Sequence, residues 1–483
     1  VTLDPATCYP ALRARDARFD GTFFVGVSST GIYCRPVCPA RVPARDRCTF
    51  YASAAQAEQA GFRACLRCRP ELAPGHGSVD ARSRLARLAT VRIEAGFLDA
   101  RSVEELAAAL GVTPRHLHRA LVAELGLSPL DLAQSRRLAL AKRLLHDTRL
   151  PVLDVAHAAG FGSLRRFNDL FRRRFGRTPS SLRDGRAPAA PDDPLRLRLD
   201  YRPPLHAAGL LRFLKGRAIP GVEAVGEDGY RRSVSIDGHV GWVIVVPGTR
   251  GPSLEARIAP SLAPRLLDVT ARLRALFDLD ARPDLVAEHL GADPLLAPHV
   301  RARPGLRVPG AFDGFELAVR AILGQQVSVR AATTVSGRLV ARFGAAVATP
   351  LPGITHAFPT PARLADATES GIAAAGLPGA RARSILALAR ATADGRLDLA
   401  LGADPDAALA ALLELPGVGP WTADYVAMRA LRRPDAFPAG DLVLRRLLDV
   451  TTSSAAERRA EAWRPWRAYA ALHLWTSLAD PGA

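Results

Sequence analysis

Two close pairs of cysteines, Cys34-x3-Cys38 and Cys65-x2-Cys68, are the first residues in this chain whose types and spacing can do chemistry. Each short spacing puts two thiolates on one side of a tetrahedron, and the distant pair completes it. The set predicts one Zn2+ held by four sulfurs. Cys8 and Cys48 have no close cysteine partner and read as packed or surface thiols. From spacing alone the site is a structural clip in a domain too small to hold itself together. Against that reading, "RPVCPAR" and "RACLRCRP" surround the sulfurs with Arg35, Arg41, Arg63 and Arg67. A zinc thiolate set among phosphate-binding cations is placed to attack an electrophile on DNA.

A second segment of this kind is "LPGVGPWTA", residues 415–423. Gly417 and Gly419 permit close backbone approach, and the helix that follows offers N–H groups to a phosphate. This is the helix-hairpin-helix pattern for holding a DNA backbone without reading its sequence. A plain helix connection has the same spelling, but the hairpin, the helix after it and Asp441 in "PDAFPAGDLVLRRLL" resemble the layout of the helix-hairpin-helix glycosylase superfamily. Lone tryptophans are more simply core residues, a reading that suits Trp242 and Trp463.

The bulk properties agree with a nucleic-acid partner. Sixty-five basic residues against 47 acidic ones give a net charge of +18, which points to a polyanion. Lys142 and Lys215 are the only lysines. Neither closes a glycine-rich run, so a P-loop motor is excluded, and no Schiff-base lysine can stand beyond residue 215. No run of about 18 uncharged apolar residues is present, so no membrane span is expected. The first twenty residues lack the apolar core of a signal peptide. A cytoplasmic protein with reduced thiols is expected, and cysteines confined to the first 68 residues then favour metal over disulfides.

At 483 residues the chain is too long for one core, and its texture predicts a multidomain α+β protein. Residues 1–74 read as a small zinc-binding domain, followed by the linker-like "APGHGSVDAR". Residues 80–183 read as an all-α domain. In "SVEELAAALGVTPRHLHRALVAELG", Ser102 and Glu105 form a capping box. Leu106, Ala109 and Leu110 make an apolar face, Gly111 breaks the helix, and Pro114 opens the next one. The grammar recurs with Val152, Val155 and Ala156, then Gly160, then Ser163 as a cap. Helix, glycine turn, helix is the helix-turn-helix pattern, although either copy alone also fits a plain bundle. Arg115, His116, His118 and Arg119 in the first pair, and Arg165, Arg166 and Asn168 in the second, are the expected DNA contacts. Residues 184–194 read as a second linker. Residues 195–305 alternate like strands and then turn helical, and residues 306–483 are nearly all helical.

Longer matches add to this reading. "FFVGVSSTGIYCRPVCPAR" and "FYASAAQAEQAGFRACLRCRPE" resemble the zinc domain of the Ada family of alkylation-response proteins. The resemblance implies that Cys34 accepts a methyl group from a methyl phosphotriester in DNA, with Cys38, Cys65 and Cys68 as the remaining zinc ligands. The two helix-turn-helix copies, ending in "RRFGRTPSSLR", resemble the AraC family's DNA-binding domain. That implies promoter recognition and transcription activation, with RNA polymerase as a partner.

"YRPPL", "ARPGLRVPGAFDGFELAVRAILGQQVSV", "PGVGPWTADYVAMRA" and "AWRPWRAYAALHLW" resemble, in order, the AlkA family of 3-methyladenine DNA glycosylases. The resemblance implies a TBP-like N-terminal domain over 195–305 and a helix-hairpin-helix glycosylase domain over 306–483. It makes Asp441 catalytic and lines the base pocket with Trp421, Tyr425 and Trp475. Aromatic walls favour a cationic base, and a carboxylate stabilises an oxocarbenium-like sugar. Bifunctional members of the superfamily carry a lysine just after the hairpin. Trp421 stands there, so base removal without strand cleavage is expected. Gln326 occupies the position at which an apolar residue wedges into the gap left by the flipped base. It can fill the gap and hydrogen-bond the orphan base but loses apolar stacking. No cysteine follows Cys68, so the second methyltransferase motif of many Ada proteins is missing.

The expectation is an alkylation sensor, transcription activator and base-excision enzyme, monomeric and acting on double-stranded DNA. One alternative is a glycosylase whose zinc and helix-turn-helix half only delivers it to DNA. The other is a regulator whose glycosylase half merely binds DNA.

Overall fold

The computed structural model describes residues 5–15, 20, 23–51, 54–68, 70, 81–148, 150–182, 193–227, 229–249 and 251–478. The expected linkers fall almost wholly outside these residues, at 73–80 and 184–192. The chain forms two compact units, residues 1–90 with 103–129, and residues 91–102 with 130–483.

The first unit is built on a four-stranded sheet with β1 (Phe24–Val27), β2 (Ile32–Cys34), β3 (Cys48–Tyr51) and β4 (Arg63–Ala64) in the order β3-β1-β2-β4. β1 is buried along its whole length, so it reads as a continuous apolar run rather than an alternating one. Helices Pro5–Ala14 and Ala54–Gln59 accompany the sheet. The first helix-turn-helix pair is Val103–Ala109 and Pro114–Leu125. Thr113 caps the second helix by accepting the His116 N–H, and Gly126 ends it at φ +72°. Ala109, expected on the buried face, is exposed. The stripe runs through Val103, Leu106, Ala107 and Leu110, and Ala109 lies about 100° around the helix from its centre.

The second unit contains a five-stranded antiparallel sheet. Its strands are β5 (Leu195–Asp200), β6 (Glu223–Gly226), β7 (Gly229–Ile236), β8 (His239–Pro247) and β9 (Ser253–Ile258), in the order β5-β9-β8-β7-β6. β5 reads LRLRLD and alternates buried and exposed residue by residue, the period-2 pattern of a half-buried strand. β7 and β8 are joined at Asp237-Gly238, both with positive φ, as a tight hairpin turn requires.

The second helix-turn-helix pair, Val152–Ala158 and Leu164–Phe175, shares its buried cluster with this sheet. Leu144, Val155, Phe167 and Phe171 belong to the same core as Leu197, Tyr230, Val243 and Leu273. The two pairs therefore sit in different compact units. Further helices, including Gly314–Leu323, Val329–Phe343, Pro420–Arg429, Leu442–Leu447 and Arg467–Ser477, complete the C-terminal half. Trp463 is buried there and donates its indole N–H to Asp293 at 2.8 Å. Among the described residues no helix is long and apolar enough to cross a membrane.

Candidate functional site

Strand register assembles the cysteine site. β2 and β4 run parallel with Tyr33 opposite Ala64, which brings the next residues, Cys34 and Cys65, to the same end of the sheet. The Cys65 N–H donates to the Tyr33 carbonyl at 3.1 Å, and a turn closed by Cys38 N–H to the Arg35 carbonyl returns Cys38 to the same place. The sulfurs of Cys34, Cys38, Cys65 and Cys68 lie within 4.8 Å of one another, and no disulfide links them. Cys8 is buried elsewhere in the unit, and Cys48 is half-buried on β3. Shared-hydrogen contacts with Cys38 and Cys68, and then burial, push the Cys34 thiol far above its ordinary range. Four crowded sulfurs of this kind need a divalent cation to be held together as thiolates, and a soft all-sulfur set fits Zn2+.

The arginines around the site divide. Arg41, Arg63 and Arg67 are exposed. Arg35, expected to face DNA, is 0 % exposed and forms a two-pronged pair with Asp20, its Nε lying 2.8 Å from Oδ1. It also donates to the Cys68 carbonyl, and its backbone N–H points at Cys68 Sγ at 3.4 Å. Arg35 therefore braces the metal site from inside and does not offer its guanidinium to a phosphate. In the helix-turn-helix pairs Arg115, His116, His118, Arg119, Arg165 and Arg166 are exposed, and Asn168 is half-buried.

The second site converges on Asp441. This residue caps helix Leu442–Leu447, with Oδ1 accepting the N–H groups of Val443 and Leu444 at 3.0 and 2.9 Å. Trp475 Nε1 donates to the same oxygen at 3.1 Å, and Trp421 Nε1 donates to Oδ2 at 3.1 Å. Two of the three expected pocket residues thus hold the expected catalytic carboxylate by direct hydrogen bonds. The third, Tyr425, stacks on Trp421 with centroids 5.5 Å apart and planes 11° apart, and meets Trp475 at 6.3 Å.

The hairpin lies at the start of helix Pro420–Arg429, which carries Trp421 and Tyr425. Gly417 is exposed at φ +77°, a conformation that favours glycine, and a Cβ there would also have to push Ser384 Oγ aside. Gly419 precedes Pro420, the first helical residue, and no side chain caps that end. Gln325 Nε2 ties this hairpin to the expected wedge segment by donating to the Gly417 carbonyl at 2.8 Å and Thr422 Oγ1 at 2.9 Å. Gln326 is exposed and held at φ +56°.

Three groups escaped the sequence reading: Asp20, Gln325 and Arg429. Arg429 donates to the Tyr425 hydroxyl at 2.7 Å. One signal was present for it, because Trp421, Tyr425 and Arg429 recur every four residues and so share one helix face.

This geometry meets known proteins along the whole chain. The metal binding domain of Ada matches residues 7–71 and a helix-turn-helix domain matches 106–185. The AlkA N-terminal domain matches 196–313, and the HhH-GPD superfamily of base excision DNA repair proteins matches 319–468. A 3-methyladenine DNA-glycosylase from Archaeoglobus fulgidus shares the fold with a TM-score of 0.52 at 21 % identity, over 59 % of this chain and 99 % of that one. The fold and sites thus define a zinc-binding, helix-turn-helix protein with a glycosylase-type C-terminal half.

A probable bifunctional transcriptional activator/DNA repair enzyme AlkA of Mycobacterium tuberculosis is 44 % identical over 98 % of this chain and 96 % of its own length. The chain belongs to that bifunctional transcriptional activator/DNA repair family. DNA-3-methyladenine glycosylase 2 of Escherichia coli is 37 % identical over 57 % of this chain and 95 % of its own length.

Proposed function

We propose that the protein carries out two repair chemistries on double-stranded DNA and reports one of them to a promoter. The observation that carries the glycosylase half is the convergence of Trp421 and Trp475 on Asp441 beside the face of Tyr425. A flipped cationic base such as 3-methyladenine stacks on the aromatic wall. The carboxylate stabilises the positive sugar as the glycosidic bond breaks. No lysine stands after residue 215, so the product is an abasic site on an uncut strand. Gly417 and Gly419 approach the backbone, and Gln326 fills the gap.

In the N-terminal half, one bound zinc keeps the four sulfurs as thiolates at neutral pH. Cys34 Sγ then attacks the methyl carbon of a methyl phosphotriester. The S–CH3 bond forms, the CH3–O bond breaks, and the electron pair leaves on the phosphate oxygen to give an ordinary phosphodiester. One negative charge is lost from the protein. At ~6 Å from a neighbouring phosphate and an effective dielectric of ~20, that charge is worth roughly 3 kcal/mol before screening. Methylation therefore tightens DNA binding, and the helix-turn-helix residues convert the gain into promoter occupancy. RNA polymerase is the partner this role calls for, and a single chain contains all the parts required.

A second reading, zinc as a purely structural clip, draws support from burial, since Cys34 is only 9 % exposed. The mass of the Cys34 peptide decides between them after the full chain has met DNA containing methyl phosphotriesters. Gain of one methyl on Cys34 supports transfer. An unchanged mass with zinc retained leaves the clip.

A further inference from the structure

The helix that carries Trp421 and Tyr425 continues to a third tier, Arg429. Its guanidinium is buried and fixed by two backbone carbonyls, Pro309 O to Nε at 2.7 Å and Gly310 O to its second terminal nitrogen at 2.9 Å. The remaining terminal nitrogen donates to the Tyr425 hydroxyl at 2.7 Å. Among the described residues no carboxylate lies within ion-pair distance of this guanidinium, so its charge is directed at the pocket tyrosine. We infer that Arg429 is a positioning residue for base selection: through the Tyr425 hydroxyl it sets the charge of one pocket wall, and the preference for cationic over neutral bases therefore changes with pH. This inference rests on the glycosylase reading above.

The charged groups around Tyr425 are predominantly basic. Arg429 stands on its own helix, and Arg217 follows helix Ala207–Lys215 and adds its charge near the hydroxyl. Arg320, on Gly314–Leu323, donates to the Arg217 carbonyl and pairs with Glu223 of β6 at 3.1 Å. Helix Arg467–Ser477 presents the neutral Trp475 to the ring. Asp441 lies beyond the two indoles, which donate to it. Burial pushes the Tyr425 hydroxyl up. The charges of Arg429 and Arg217, the hydrogen bond from Arg429, and then Arg320 outweigh it and bring the group down to about 8.

The sign follows. Below that pH the wall is a neutral phenol backed by guanidinium groups, which repel a cationic base. Above it the phenolate offsets one of those charges, and an electron-rich anionic ring faces the base. A neutral base feels little of either change.

The test uses the full chain with zinc bound. Single-turnover release of 3-methyladenine, cationic throughout, is compared with release of 1,N6-ethenoadenine, neutral throughout, from matched duplexes at about pH 7 and about pH 9. Spontaneous loss is subtracted. The expected result is a rise of about tenfold in the cationic-to-neutral ratio, flattened in both Tyr425→Phe and Arg429→Gln. Tyr425→Phe leaves both backbone bonds of Arg429 intact, so it carries the test alone if Arg429→Gln misfolds. If the neutral base is not released, the 3-methyladenine rate of wild type against Tyr425→Phe decides. A wild-type ratio that does not change with pH, or the same rise in Tyr425→Phe, overturns the inference and leaves the glycosylase reading standing. Release of neither base by wild type overturns the glycosylase reading itself.

Discussion

The cysteine cluster and the Asp441 carboxylate both gather negative charge, and they handle it in opposite ways. Asp441 accepts four N–H groups, two from the backbone of its helix and two from indoles. In the cluster the donors are unevenly shared. Cys68 Sγ receives the Arg35 N–H, and Cys38 receives that of Ala40. Among the described residues no backbone N–H bonds to Cys34 Sγ. Hydrogen bonds draw charge out of an anion and weaken it as a nucleophile. Cys34 and Cys65 are therefore the two sulfurs left without such a donor, and the proposed attack falls on Cys34 of this pair. The carboxylate, held by three donors on Oδ1 and one on Oδ2, suits electrostatic stabilisation of a neighbouring cation.

The largest effect expected from this contrast is at Asp441. Asparagine caps a helix about as well as aspartate, so Asp441→Asn should still fold, losing about 1–2 kcal/mol to one indole or backbone donor left without an acceptor. It removes the charge, and the amide turns an N–H group toward one of the four donors. Single-turnover release of 3-methyladenine should then fall by roughly 100-fold to 1,000-fold. A loss of less than about tenfold, with the protein still folded, would mean that the carboxylate only positions the indoles, and the contrast between the two anions would collapse.

The cluster is probed through the residue that braces it. Asp20→Ala removes the carboxylate paired with the buried Arg35 guanidinium beside the sulfurs, and loss of one partner of a buried pair costs about 3 kcal/mol. Faster zinc release to a chelator is expected, along with a lower unfolding midpoint for the first unit. Methyl transfer should persist in the molecules that keep zinc, since Cys34 itself is untouched. Unchanged zinc retention would show that Arg35 is not the brace its burial indicates.

The two sites also differed in how far they could be read beforehand. The four cysteines were legible from spacing alone, because two short loops can close a tetrahedron on very few strand contacts. The register of β2 against β4 supplied the rest. Asp441, Trp421 and Trp475 lie too far apart in the chain for spacing to join them, and only resemblance to glycosylases did so. The indole-to-carboxylate bonds depend on helix packing that no local pattern encodes. Arg35 was misread because an arginine beside a metal ligand in a basic segment looks like surface, and the acid that buries it lies fifteen residues upstream. The alternation of β5 was visible in LRLRLD. The shared core of the second helix-turn-helix pair and the five-stranded sheet was not, since both faces involved are equally apolar in the sequence.

The smallest expected effect sharpens the Asp441 side without touching any of its four donors. Gln326 holds φ +56° in the turn between helices Gly314–Leu323 and Val329–Phe343. A left-handed conformation costs a residue with a Cβ about 1 kcal/mol. The turn stays in place because its neighbour Gln325 bonds to the hairpin and accepts a hydrogen bond from Arg381. Gln326→Gly relieves the strain and should stabilise the fold by up to about 1 kcal/mol, less the entropy glycine adds to the unfolded chain. It also removes the side chain proposed to fill the gap, and excision should slow by several-fold. Gln326→Leu keeps the strain and restores an apolar wedge, so its excision rate should match or exceed wild type. Stability and activity therefore move in opposite directions in the glycine variant, which a simple loss of structure cannot produce. Equal excision by the glycine variant and wild type would remove Gln326 from the DNA interface and leave its strain without a function.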